Sequence, residues 1–154
     1  MTLTDQSKFA DIAAGLRQSI DAAYPKLNAI ADSDAAKPRA PGKWSSKQII
    51  GHLLDSAANN HQRFVRVQQG QPLTWTSYEQ NHWVDASHHQ ERRWNELIAF
   101  WHAYNQHIAH VMSHIPETLR GTKVTIGDDP PETIEFVAHD YLRHLDHHLN
   151  QILP

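Results

Sequence analysis

The chemistry available to this chain lies in its histidines. There are 13 of them in 154 residues, and no cysteine. An imidazole can carry a proton near neutral pH or offer a lone pair to a transition metal. Without a thiol of its own the chain has no disulfide, no thiolate metal site and no cysteine nucleophile. Any thiol it uses must arrive on another molecule. The densest group closes the chain, in YLRHLDHHLNQIL (141–153), where His144, His147 and His148 cluster. His144 and His148 are four apart, so on a helix their rings can meet at one point. A divalent cation is the simplest thing for two inward imidazoles to share; a hydrogen-bonded pair of core histidines is the alternative. Two ligands do not complete a zinc-type site, which takes three protein ligands and an open position for catalysis.

Four amphipathic segments must position these residues. The first spans roughly 5–31, with Phe9, Ile12, Leu16, Ile20 and Leu27 at helical spacing, and Pro25 is expected to kink or break it. The second starts at a cap supplied by Ser45 or Ser46 and ends before Gly70. The third covers roughly 88–115, along Trp94, Leu97, Trp101 and Ile108, and the fourth runs from near Pro131 to about Leu153. The connection GQPLTWTSYEQNHWVDA (70–86) holds Trp75, Tyr78 and Trp83, which either roof a pocket or cover the bundle end. The connection PETLRGTKVTIGDDPP (116–131) contains KVTI as a short extended piece. The expected fold class is all-α: a four-helix bundle with long loops between helices two and three and between three and four. Residues 1–154 are expected to form one domain.

Composition narrows the setting. A formal net charge of −3 argues against nucleic acid as a partner. No run of 18 apolar residues is present, and the start lacks a basic end followed by an apolar run. A cytoplasmic protein with no membrane partner is the expectation.

Helical geometry then sorts the histidines. His107, His110 and His114 lie opposite the Trp94/Trp101/Ile108 stripe and read as a solvated face. On the last helix, Val137, Tyr141, His144 and His148 follow inward spacing, whereas His139 and His147 point elsewhere. His52 lies off the Leu53/Ala57/Phe64 stripe and heads a polar line with Ser56 and Asn60. That line faces either solvent or a polar pocket; periodicity does not decide. Asp55 and Asp140 stand three and four positions from His52 and His144. Either can accept a hydrogen bond from a ligand's second nitrogen; Asp55 can also act as a base, and Asp140 reads as a surface carboxylate. Trp44 reads as a packing anchor ahead of the second helix.

The segments KWSSKQIIGHLLDS (43–56), SYEQNHW (77–83) and HLDHHLNQI (144–152), in that order, resemble the DinB/YfiT-like superfamily. The similarity spans about 43–153 and is nearest to the YfiT-like branch of metal-dependent hydrolases and bacillithiol transferases. It implies a four-helix bundle, a homodimer and a bound Ni²⁺ or Zn²⁺. The family's three metal ligands fall on His52, His144 and His148. The activity implied first is a metal-dependent thiol S-transferase, with a small-molecule thiol and a small electrophile as partners. A metal-dependent hydrolase, and a non-catalytic metal-binding or stress-interaction bundle, are the alternatives.

Overall fold

The computed structural model describes residues 8–154. Four long helices carry the fold: α1 (Phe9–Asn28), α3 (Ser46–Arg66), α5 (Trp94–Ser113) and α6 (Ile134–Ile152), with short α2 (Asp32–Ala35) and α4 (Gln80–Ala86) in the connections. Their apolar stripes meet in one core. It is built from Leu16 and Ile20 of α1, Leu53 and Phe64 of α3, Trp101 and Ile108 of α5, and Leu145 of α6. Each large aliphatic side chain buried there contributes about 1.5–3 kcal/mol against the cost of ordering the chain. One polar tie crosses the core. Tyr141 Oη donates to Asn105 Oδ1 at 2.5 Å, and Asn105 Nδ2 donates to the Trp101 carbonyl at 2.9 Å. Both groups are satisfied, so the tie fixes α5 against α6 without an orphaned polar atom.

Each of α1 and α3 packs against both α5 and α6. The two long helices that follow one another in the chain, α1 and α3, therefore sit across the diagonal, as do α5 and α6. This topology matters for the site, because it sets α3 beside α6.

The expected four-helix bundle is present, with adjusted boundaries. Residues 5–7 of the expected first helix lie outside the described residues. Pro25 does not end α1, which continues to Asn28. A proline so near the C-terminus removes only one of the last helical hydrogen bonds. The third helix begins at Trp94 rather than near 88, because His88 is left-handed (φ 54°) and His89–Glu91 form a single 3₁₀ turn. The fourth begins at Ile134 rather than Pro131, capped by Thr133 Oγ1, which accepts from the Phe136 amide at 3.1 Å. Both long connections carry strands: β1 (Leu73–Trp75), β2 (Lys123–Ile126) and β3 (Glu132–Thr133). β1 runs parallel to β2, Leu73 opposite Val124, and β3 pairs antiparallel to β2. KVTI is thus extended as expected, and the all-α reading gains a small sheet that lies against α3 and α6. No helix among the described residues is long and apolar enough to cross a membrane.

Candidate metal centre

α3 starts where the sequence places it. Ser45 Oγ accepts from the Gln48 amide at 3.2 Å, and Gln48 Oε1 accepts from the Ser45 amide at 2.9 Å, a reciprocal capping box. Beyond the cap, every residue from Ile49 to Ala57 is buried. α5 and α6 cover two sides of the helix, and the sheet, α4 and the His89 turn cover more. His52 is therefore 1% exposed although it lies off the apolar stripe. The open alternative closes in favour of the pocket: the line His52, Ser56, Asn60 faces protein, and all three residues are buried.

From α6, His144 and His148 turn toward the same point and are half-buried, while His139 and His147 are exposed. The Nε2 atoms of His52 and His144 are 3.1 Å apart. The His148 ring centroid lies 4.8 Å from that of His52 and 4.6 Å from that of His144. One ring nitrogen from each of the three lies within 4.8 Å of the others. These residues fit a divalent ion. A tetrahedral ion with Zn–N bonds of about 2.0–2.1 Å sets two ring nitrogens about 3.3–3.4 Å apart, close to the 3.1 Å between His52 and His144. His148 Nδ1 donates to Gln151 Oε1 at 2.8 Å, which leaves its Nε2 lone pair for a ligand role.

Electrostatics keeps the trio neutral. Burial first, then the neighbouring His144 and His148, pull the pKa of His52 down to about 3. Burial first, then His148, pulls His144 down to about 4, with Asp140 acting the other way. Burial lowers His148 too, opposed by its bond to Gln151. Neutral imidazoles are the form that binds metal, so the lone pairs are available without prior deprotonation.

Two carboxylates stand near the trio, each with a partner on one oxygen. Asp55 is 5% exposed, and its Oδ1 accepts from His89 Nε2 at 3.0 Å. Oδ2 of Asp55 and Nδ1 of His52 are both buried without a partner. Asp140 pairs with Arg143 at the surface. His89 has no counterpart among the residues read from the sequence. Its ring lies on Gly51, where an added Cβ would meet the imidazole at 2.2 Å. Trp44, expected as a packing anchor, lies against the site itself, its ring centroid 5.0 Å from that of His52.

A cavity opens on each side of the trio. One, of about 250 Å³, runs between α3, α6 and the sheet; His144 lies at one end, and Arg63, Tyr78, Phe136 and Val137 line it further on. The other, of about 280 Å³ and shallower, is lined by His148, Trp44, Arg39, Gln80 and Gln151. Of the three aromatics in the first long connection, Tyr78 roofs the first cavity. Trp75 instead carries the Arg66 guanidinium 4.0 Å above its ring.

Comparison with known proteins bears on the fold and the family. No curated protein matches the sequence. Among solved structures, the fold is similar to YfiT from Bacillus subtilis, described as a probable metal-dependent hydrolase with an unusual four-helix bundle topology. The TM-score is 0.77 at 16% identity, over 97% of this chain and 84% of that one. The sequence model of the DinB superfamily matches residues 16–152, nearly the whole chain and all three histidines, and the protein belongs to the DinB superfamily.

Proposed function

We propose that the protein is a metal-dependent enzyme in which His52, His144 and His148 hold one divalent ion, and that it transfers a small external thiol to a small electrophile. The observation that carries this reading is the placement of three neutral imidazoles between two cavities. A group transfer between two molecules needs a place for each, and hydrolysis needs only one. When bound, a divalent ion supplies Lewis-acid chemistry that lowers the pKa of a thiol or water. Three imidazoles suit both Zn²⁺ and Ni²⁺.

The chain's own residues do the positioning. Gln151 orients His148. Trp44 packs against His52 and walls the shallower cavity. Phe136, Val137 and Val124 give the deeper cavity an apolar side. Asp55 holds His89 against Gly51 behind His52, which supports a positioning role rather than that of a base. In the transfer, the S–H bond breaks and an S–C bond forms. The leaving group departs with the bonding pair, and the thiol proton goes to solvent. A free cysteine-type thiol ionises near pH 8.5, far below water's 15.7, so a thiol needs less help from a base than water does.

A second reading, metal-dependent hydrolysis, is favoured by the similarity to YfiT. One experiment separates them. Untagged protein loaded with Zn²⁺ or Ni²⁺ is given an activated aryl halide with and without each of several low-molecular-weight thiols, and an activated ester without thiol. Thiol-dependent conjugation that His52→Ala abolishes supports transfer. Ester cleavage with no conjugation supports hydrolysis. Neither activity in metal-loaded protein overturns the enzymatic reading.

A further inference from the structure

The deeper cavity contains a buried cation that no carboxylate pairs with. Arg63 is 6% exposed. Its Nη1 donates to Asn60 Oδ1 at 3.2 Å and its Nη2 to the Thr76 carbonyl at 3.3 Å, both neutral acceptors; its Nε is buried without a partner. The contrast with Lys47 is direct. Lys47 is as deeply buried, at 5%, and lies 3.1 Å from Asp32. Among the described residues Arg63 forms no ion pair. A guanidinium cannot shed its proton to escape burial, so the fold keeps a charge that burial penalises and leaves part of its donor fork unused.

We propose that Arg63 is the recognition point for a carboxylate, and that the cavity between α3, α6 and the sheet binds a small molecule with one carboxylate and an apolar body. The proposal rests on the reading of the histidine trio as the reactive centre, since it places the substrate whose far end Arg63 holds. A carboxylate can accept from the Nη hydrogens that Asn60 and Thr76 leave free, and it gives Arg63 the charged acceptor it lacks. Tyr78 faces Arg63 and Ser56 at the same wall and offers a hydroxyl. The apolar body meets Val124, Ile126, Phe136 and Val137. Asp129, Glu132 and Asp140 line the remaining wall. Three carboxylates there disfavour a second negative charge on the ligand, which selects a monocarboxylate over a dicarboxylate or a phosphate. Length follows from the helix. Arg63 is eleven positions after His52 on α3, about 16 Å of axial rise, and its side chain leans back toward the helix N-terminus. The carboxylate therefore sits several bonds from the reacting atom, on an arm and not beside it.

The test uses 4-phenylbutyrate as probe, with 4-phenylbutyramide and phenyl phosphate as comparisons. Each is titrated calorimetrically into the full chain as purified, and again after chelation, so that a carboxylate bound to metal is not mistaken for one bound to Arg63. The acid is expected to bind at least about tenfold tighter than the amide in both forms, the scale of one charge-assisted pair. Arg63→Gln is expected to remove that preference, and Arg63→Lys to retain part of it. Arg63→Gln is also expected to melt no lower than the parent, because it removes an unpaired buried charge. Equal binding of acid and amide, an unchanged preference in Arg63→Gln, or tighter binding of phenyl phosphate would each overturn the proposal. Should Arg63→Gln not fold, Arg63→Lys decides: a preference as large as the parent's refutes a role for the guanidinium fork. Because the preference is read without metal as well as with it, failure here is distinguishable from failure of the histidine trio to bind metal.

Discussion

α5 and α6 both carry histidines at helical spacing, and they make different use of them. On α5, His107, His110 and His114 are all exposed, with ring centroids 6.5 and 4.5 Å apart along the helix surface. On α6, His144 and His148 are half-buried, 4.6 Å apart, and face His52 from α3. The i, i+4 spacing and the ring separation are similar in His110/His114, at the end of α5, and His144/His148. What differs is the opposing surface. The α5 stripe faces solvent. The α6 pair meets a third imidazole that is almost wholly buried, so its rings lose water and acquire one another. The diagonal topology produces this, since it sets α3 beside α6.

The comparison breaks most visibly at the ligands. His52→Ala, His144→Ala and His148→Ala are each expected to lower affinity for Zn²⁺ or Ni²⁺ by at least about tenfold, the scale of even an outer-shell loss. His147→Ala, on the exposed side of the same helix, is expected to leave affinity unchanged. Calorimetric titration of untagged protein, with circular dichroism to confirm helix content, reads the effect. Retention of full affinity by His52→Ala would show that α3 adds no ligand and that the contrast between α5 and α6 is one of burial alone.

Gly51 sharpens the comparison from the far side of α3. An alanine Cβ would fall 2.2–2.5 Å from three atoms of the His89 side chain, closer than packed atoms can stand. His89 is buried in a tight turn, so it has little room to retreat. Gly51→Ala is expected to cost about 1–3 kcal/mol in urea unfolding, the range for overpacking, and to disturb the Asp55–His89 pair. An unchanged or raised stability would mean that the His89 turn moves freely, and that Asp55 needs no such partner.

A pH series tests whether burial distinguishes the trio. In metal-free protein the folded-state pKa values of His52 and His144 are lowered to about 3 and about 4, against about 6.5 when unfolded. Between those limits the unfolded chain binds more protons than the folded one, so stability falls as pH drops. The contribution is fully present above about pH 6.5 and is lost progressively down to about pH 4 for His144 and about pH 3 for His52. The slope is at most about 1.4 kcal/mol per pH unit for each histidine. Urea midpoints measured at intervals from pH 7.5 to 4.5 should fall, and the fall should flatten in His52→Gln/His144→Gln. Identical slopes in parent and double variant would place both rings in solvent.

Legibility in the sequence follows the same division. α6 buries one face and exposes the other, so its periodicity marks His144 and His148 as inward and His147 as outward. α3 is covered on several sides, and from Ile49 to Ala57 nothing is exposed. Where a helix is covered on every side, lying off its apolar stripe does not mean facing solvent, so the family resemblance, not spacing, assigns His52. Arg63 continues the line His52, Ser56, Asn60 at 4-4-3 spacing, a signal that becomes readable once the line is known to face a pocket. His89 gave none, because a single left-handed residue, His88, sets its turn. The strands are too short to alternate, and they pair across the chain, Leu73 with Val124. No local window contains that pairing.

The smallest expected effect is on the α5 stripe, where the comparison predicts almost nothing. Replacing His107, His110 and His114 together with Gln removes three rings that touch mainly water and each other. His114 Nδ1 already pairs with the His110 carbonyl at 2.8 Å, so one of its nitrogens is committed to the helix end. The edge contact between His61 and His107, at 5.0 Å, is the link from the stripe to a neighbouring helix, and His61 keeps its 2.9 Å bond to Tyr104 without it. Stability is therefore expected to change by no more than about 0.5 kcal/mol, as for ordinary surface substitutions. The stoichiometric metal site should be untouched, because the three nitrogens that converge belong to α3 and α6. A weak second binding event at high metal concentration, present in the parent and absent from the triple variant, fits an exposed i, i+4 pair and leaves the distinction intact. Loss of the tight site, or a drop in stability of several kcal/mol, would mean that the α5 face is covered in solution and that exposure does not separate the two helices.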